Sequence, residues 1–195
     1  MKVKICGITN PTDAAMCEDL GADALGFVHV SGRTRSVPIE RISGICSTIG
    51  PMTAKVMVCA PSDVDHAIDL AGRSGVDALQ LYSLSPAQLD EIRAVGVGVM
   101  RVIKPDRSLA LEYAGSADAL VFESGVPGTG SSYDYSSVPI DSCPRPIIAG
   151  GLTLDNIASV KALRPYAVDV SSGVERSPGK KDPQLVSEFV RRCRE

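Results

Sequence analysis

Eight short apolar runs, spread over the whole chain and separated by segments with helix-start chemistry, constrain what this sequence can fold into more than any other feature. They are Val3–Ile8, Ala24–His29, Ala54–Ala60, Ala78–Tyr82, Val97–Lys104, Ala119–Glu123, Pro146–Ala149 and Ala167–Val170. Each reads as near-continuously apolar, as expected of strands covered on both faces of a parallel sheet. Between them, Asn10-Pro11, Ser85-Pro86 and Asp182-Pro183 each set a capping side chain before a proline suited to a first helical turn, and Ser62 and Asp155 are two further candidate caps. The stretches Asp63–Arg73 and Pro86–Ala94 mix apolar and charged residues at helical spacing. Strand alternating with helix throughout predicts an α/β fold.

An internal repeat narrows the choice. Gly21-Ala22-Asp23-Ala24-Leu25, Gly75-Val76-Asp77-Ala78-Leu79 and Asp118-Ala119-Leu120 open the second, fourth and sixth runs alike, and Asp169 lies inside the eighth. A (βα)2 unit used four times suits a closed (β/α)8 barrel, a TIM barrel, better than the alternative of an open doubly wound sheet. A length of 195 residues sits at the lower edge of what such a barrel needs. No linker or composition break interrupts it, so residues 1–195 read as one domain.

Composition excludes several roles. The net charge is only −3, with both signs interspersed, which recommends neither nucleic acid nor a membrane surface as partner. The six cysteines are scattered, with no C-x-x-C pair and no histidine at ligand spacing, so neither a zinc site nor a disulfide framework is expected. The first residues run straight into an apolar strand without the long apolar stretch of a signal peptide, making the cytosol the expected compartment.

In a barrel, function gathers at the C-terminal ends of the strands and in the loops that follow. Cys6 ends the first run and reads either as a thiolate base or nucleophile at the mouth or as a small buried hydrophobe. Glu123 closes the sixth run, either as a general acid with a pKa raised by desolvation or as a strand-end carboxylate turned to solvent. Gly150-Gly151 after the seventh run and Ser171-Ser172-Gly173 after the eighth are where barrels often cradle a phosphate on backbone N–H groups. Gly125–Ser132 is a candidate lid. Arg33 and Arg35 follow the second run, where a guanidinium can grip a carboxylate, and spacing does not choose between them. His29 ends a run and is placed to face the mouth, whereas His66 falls on a surface helix.

Taken in order, Lys4-Ile5-Cys6-Gly7-Ile8-Thr9, Gly21–Phe27, Leu79-Gln80-Leu81, Gly128-Thr129-Gly130, Ala149-Gly150-Gly151-Leu152, Val168–Glu175 and Gly179-Lys180-Lys181-Asp182 closely resemble the phosphoribosylanthranilate isomerases of tryptophan biosynthesis. The resemblance implies the (β/α)8 barrel and a cofactor-independent Amadori rearrangement of N-(5-phosphoribosyl)anthranilate, with a small phosphosugar as the partner and a monomer or homodimer as the assembly. It makes Cys6 the general base and puts Glu123 at the position of the general acid. Gly150, Gly151, Ser171, Ser172 and Gly173 then surround the phosphate, Arg35 (with Arg33 second) meets the anthranilate carboxylate, and Asp169 lies near the substrate. Five residues depart from the family pattern: Glu123 stands for aspartate, Tyr82-Ser83 for His-Gly, Ser131 for lysine and Tyr135 for tryptophan. A barrel that binds a phosphosugar without turning it over, and another phosphate-binding barrel enzyme of the tryptophan or histidine pathway, are the competing readings.

Overall fold

The computed structural model describes residues 1–124 and 131–195. Eight parallel strands close into a barrel in chain order: β1 Lys2–Cys6, β2 Ala24–His29, β3 Ala54–Cys59, β4 Ala78–Leu81, β5 Gly98–Ile103, β6 Ala119–Phe122, β7 Pro146–Ala149 and β8 Ala167–Val170. Closure is made by β8 against β1, with Asp169 in register with Lys4. The helices α1 Pro11–Asp19, α2 Ile39–Cys46, α3 Val64–Ser74, α4 Pro86–Ala94, α5 Arg107–Tyr113, α6 Ile157–Ala162 and α7 Pro183–Arg194 follow every strand but β6. Among the described residues the β6–β7 crossover is made by two 3-10 turns, Tyr135–Ser137 and Ile140–Ser142. A short hairpin of β9 Glu175–Ser177 and β10 Lys180–Lys181 precedes α7. No helix among the described residues is long and apolar enough to cross a membrane.

The caps follow the sequence, twice with a shift of one residue. The side chains of Asn10 and Asp182 accept backbone N–H groups of α1 and α7, and Ser85 with Gln88 forms a capping box on α4. At α3 the cap is Asp63, not Ser62, whose hydroxyl donates to the Asp63 carboxylate. At α6 it is Asn156 rather than Asp155. The Asp63 carboxylate accepts the His66 N–H in the first turn of α3, whereas the Asn156 side chain accepts the Thr153 N–H in the loop before α6 and leaves the helix N–H groups without a side-chain cap.

Apolar side chains fill two compartments. Val3, Ile5, Leu25, Phe27 and Met57 point outward into the shell beneath the helices, which α7 seals with Val186 and Phe189. A smaller cluster of Val102, Ala119, Val121, Ile147, Ala149 and Ala167 plugs the interior. The inner positions of β1, β4 and β8 are not apolar: Lys4, Gln80 and Asp169 are all buried there. The near-continuous apolar reading of the strands therefore fails at these three inner positions and holds for the inner faces of β6 and β7. His29 falls on the outward side of β2, where its Nδ1 meets the Val37 carbonyl at 2.9 Å, so it does not face the mouth.

The repeat acquires a physical meaning at the N-terminal rim. The carboxylates of Asp23, Asp77 and Asp118 accept the backbone N–H groups of Val3, Lys55 and Val99 at 2.8, 2.7 and 2.8 Å. Their own N–H groups bond the carbonyls of the same three residues, at 2.9, 2.8 and 2.8 Å. Each aspartate thus stitches an even strand to the odd strand before it. At the fourth unit Tyr166 N–H bonds the Pro146 carbonyl, and Pro146, lacking an N–H, needs no carboxylate. Tyr166 thus takes the place of the three aspartates, and Asp169, three residues further on, sits within β8 facing inward. Replacing Asp118 by Ala orphans the Val99 N–H and is expected to cost about 1–3 kcal/mol, with Asp118→Asn costing less, read from denaturant unfolding with catalytic turnover unchanged.

Candidate active site

The C-terminal mouth of the barrel holds a cavity of about 490 Å3. Cys6, Arg33, Arg35, Glu123, Gly150, Gly151, Asp169, Ser171 and Ser172 all line it, together with Gln80 and Tyr82. The residues singled out from sequence are thereby brought together, with Gly173 set just behind the wall: a Cβ there would overlap the Leu152 carbonyl oxygen, so its absence lets the β7 and β8 loops pack against each other. Residues 125–130 of the candidate lid, Gly128-Thr129-Gly130 among them, lie outside the described residues.

Beneath Cys6 lies the strongest electrostatic feature of the site. Lys4 Nζ donates to Asp169 Oδ2 at 2.7 Å, and both side chains are almost fully buried. The pair survives burial because each charge neutralises the other in a region where an unpaired charge is very costly. Lys4 also faces the sulfur: a Cβ on Gly26 would lie 2.8 Å from Lys4 Nζ and 2.9 Å from Cys6 Sγ, so glycine inside β2 is what leaves room for both. Burial pushes the Cys6 thiol above its ordinary pKa, and the neighbouring Lys4 ammonium, through its charge and a hydrogen bond, pulls against that rise. Burial also opposes the Lys4 charge, yet Asp169 and Cys6 outweigh it and hold the ammonium above its usual range.

Glu123 follows β6 directly. Burial raises its pKa, the Asp169 charge adds to the rise, and a hydrogen bond from Tyr82 with the charges of Lys4 and Arg33 opposes it. A half-buried carboxyl held above its ordinary range has the direction of shift that general-acid work calls for. Thiol and acid thus share one cavity but stand in different surroundings, the first over a cation and the second against a phenol.

One wall of the cavity is built from backbone. Gly150 and Gly151 have φ of +86° and +64°, a pair of left-handed residues that side chains other than hydrogen rarely adopt. Tyr135 Oη donates to the Gly150 carbonyl and Asn156 Nδ2 to the Gly151 carbonyl, both at 2.8 Å. With the carbonyls tied down in this way the turn is fixed rather than floppy. Arg35 reaches in from the β2 loop, and its Nε and Nη2 form a two-pronged pair with Glu175 at 2.9 and 2.6 Å. Glu175 in turn accepts from the wholly buried Lys181 at 2.9 Å. Burial alone raises the Glu175 carboxyl, but Arg35 and Lys181 together hold it below the ordinary range. Arg33 is the more exposed of the two arginines at the cavity rim.

Sequence reasoning missed Lys4, Gly26, Gln80, Asn156 and the Glu175–Lys181 pair as parts of this site. A lysine in the middle of an apolar strand and a glycine inside another were the available signals for the first two. The Gln80 Oε1 and Asp169 Oδ1 atoms are buried at the cavity floor without a hydrogen-bond partner among the described residues.

A closed barrel with a thiol, a carboxyl raised by burial and a rigid glycine wall around one mouth defines a (β/α)8-barrel enzyme acting on a small anionic molecule. The family described as N-(5'-phosphoribosyl)anthranilate (PRA) isomerase matches residues 3–192. An N-(5'-phosphoribosyl)anthranilate isomerase of Haloferax volcanii is 40% identical over 97% of this chain and 91% of its own. The phosphoribosyl anthranilate isomerase structure from Thermus thermophilus superposes with a TM-score of 0.91 at 32% identity, over 100% of this chain and 99% of that one. A phosphoribosyl anthranilate isomerase in complex with reduced 1-(o-carboxyphenylamino)-1-deoxyribulose 5-phosphate superposes with a TM-score of 0.89 at 29% identity, covering 100% and 98%. The chain belongs to the N-(5'-phosphoribosyl)anthranilate isomerase family.

The Lys4–Cys6 contact makes a direct prediction. Lys4→Met removes the cation that favours the thiolate, so the pH midpoint for alkylation of Cys6 by iodoacetamide moves to higher pH. The alkylation rate at pH 7.5 is expected to fall about tenfold, followed by mass spectrometry of the Cys6 peptide.

Proposed function

We propose that this chain is the isomerase that converts N-(5-phosphoribosyl)anthranilate to 1-(2-carboxyphenylamino)-1-deoxyribulose 5-phosphate, with Cys6 as general base and Glu123 as general acid. The observation that carries the assignment of roles is the opposed setting of the two groups: a thiol beside the Lys4 ammonium and a carboxyl raised by burial, on one cavity.

Protonated Glu123 gives its proton to the furanose ring oxygen as the bond from C1 to that oxygen breaks, and the anilino nitrogen supplies the electron pair that forms the C1=N iminium. The iminium acidifies the proton on C2. The Cys6 thiolate takes that proton, and the released electron pair forms the C1=C2 bond of an enolamine, which tautomerises to the C2 ketone. C1 is reduced and C2 oxidised within one molecule, so no external electron acceptor enters. The phosphate docks on the Gly150–Gly151 and Ser171–Ser172 amides, with Gly173 keeping the two loops in contact. Remote binding of that group holds the reacting carbons between sulfur and acid. Asp169 Oδ1 and Gln80 Oε1, the unpartnered acceptors on the floor, receive sugar hydroxyls. Arg35, its fork held by Glu175, offers Nη1 to the anthranilate carboxylate, with Arg33 at the rim adding positive charge.

Two substitutions separate this reading from a barrel that only binds a phosphosugar. Cys6→Ala is expected to lower kcat by about 10²–10⁴-fold, the range typical of a lost proton-transfer group, while calorimetric binding of the reduced product stays close to that of the unaltered protein. Turnover is followed by the loss of fluorescence of freshly generated phosphoribosylanthranilate. Binding without turnover in the unaltered protein defeats the enzymatic reading, and full turnover in Cys6→Ala defeats the assignment of the base.

A further inference from the structure

Tyr82 and Glu123 occupy two of the positions at which this chain departs from the pattern of the family it resembles, and in the structure they touch. The Tyr82 hydroxyl donates to Glu123 Oε2 at 2.8 Å. The contact spans two strands that are not neighbours: Tyr82 follows β4, Glu123 follows β6, and β5 runs between them. A phenol is long enough to cross that gap, and the extra methylene of glutamate supplies the rest. Aspartate at 123 would end one C–C bond, about 1.5 Å, short, leaving the oxygens beyond hydrogen-bond reach.

We infer that Tyr82 is a positioning residue for Glu123, holding one carboxyl oxygen so that the acid presents its proton on the other and is stabilised as that proton leaves. The inference rests on Glu123 being the general acid. With Oε2 occupied as an acceptor, the transferable proton resides on Oε1. As the proton passes to the substrate, the neutral hydrogen bond from Tyr82 becomes one to a carboxylate, which is shorter and stronger. An interaction that strengthens during proton transfer lowers the barrier instead of merely tightening binding. Tyr82 cannot itself serve as the acid's competitor, because burial and the neighbouring Glu123 charge push its own pKa further up. The other charged and titratable groups acting on the pair are Lys4 and Cys6 from β1, Arg33 from the loop after β2, Tyr133 from the β6–β7 connection and Asp169 from β8. Of these groups, Tyr82 bonds the Glu123 carboxyl directly.

Tyr82→Phe keeps the ring and removes the hydroxyl. Its kcat is expected to fall about tenfold with KM little changed. Because the lost bond favoured the ionised acid, the titration midpoint of the Glu123 carboxyl, followed by 13C NMR of side-chain-labelled glutamate, is expected to move to higher pH. A purely structural tyrosine would not move that midpoint. Glu123→Asp, which brings back the shorter acid, is expected to lose activity comparably. In a Glu123→Gln background Tyr82→Phe is expected to have no further effect, since the hydroxyl acts through the acid. Inactive Glu123→Gln alongside Tyr82→Phe with normal kcat and an unmoved midpoint overturns the role of Tyr82 alone. Full turnover in Glu123→Gln overturns the acid assignment and the positioning role together.

Discussion

The buried Lys4–Asp169 ion pair ties the chain's two ends into one catalytic surface. It joins the first strand to the last at the seam where the barrel closes, with the two residues in register. A lone ammonium or carboxylate at that depth would shed its charge, so each residue is tolerated only through the other. The same pair sets the field at the mouth: the lysine half leans on the Cys6 sulfur and the aspartate half acts on Glu123. Barrel closure and the different surroundings of the Cys6 thiol and the Glu123 carboxyl therefore have a common origin.

Around that pair the site is a set of anchored groups. Arg35 is held by Glu175, Glu175 by Lys181, and the two glycine carbonyls by Tyr135 and Asn156. Groups fixed before substrate arrives need not be ordered during reaction, which is where electrostatic preorganisation gains its effect. Tyr135, standing where the family pattern has tryptophan, retains an anchoring task through its hydroxyl.

Much of the fold was readable from residues alone because buried parallel strands and proline-marked helix starts are local signals. Strands β2, β7 and β8 and helix α4 have the predicted limits, and the other five strands and α3 differ by one or two residues at their ends, while α2 and α5 lack a capping side chain set before a proline. Cys6, Glu123 and the glycine–serine loops were found because they terminate strands, and a barrel converts strand ends into a common surface. What was not readable depends on which way a side chain turns and what it meets far along the chain. Lys4 looked like part of a strand opening until alternation placed it inside, and His29 looked like a mouth residue until alternation placed it outside. The Tyr82–Glu123 bond joins residues 41 positions apart, and the Arg35–Glu175 pair spans 140, distances over which no spacing rule operates.

The three aspartate stitches have a consequence for how such a chain can change. They lie on the rim opposite the cavity, and each joins an even strand to the odd strand before it within one quarter of the barrel. Loops above can lengthen, shorten or exchange side chains without loosening those seams, because no stitch borrows an atom from them. The final quarter has no such carboxylate: Tyr166 stands where the aspartates do, and its N–H bond to the Pro146 carbonyl is the join made there. Novelty in chemistry and robustness in architecture are thereby assigned to opposite poles of one small cylinder.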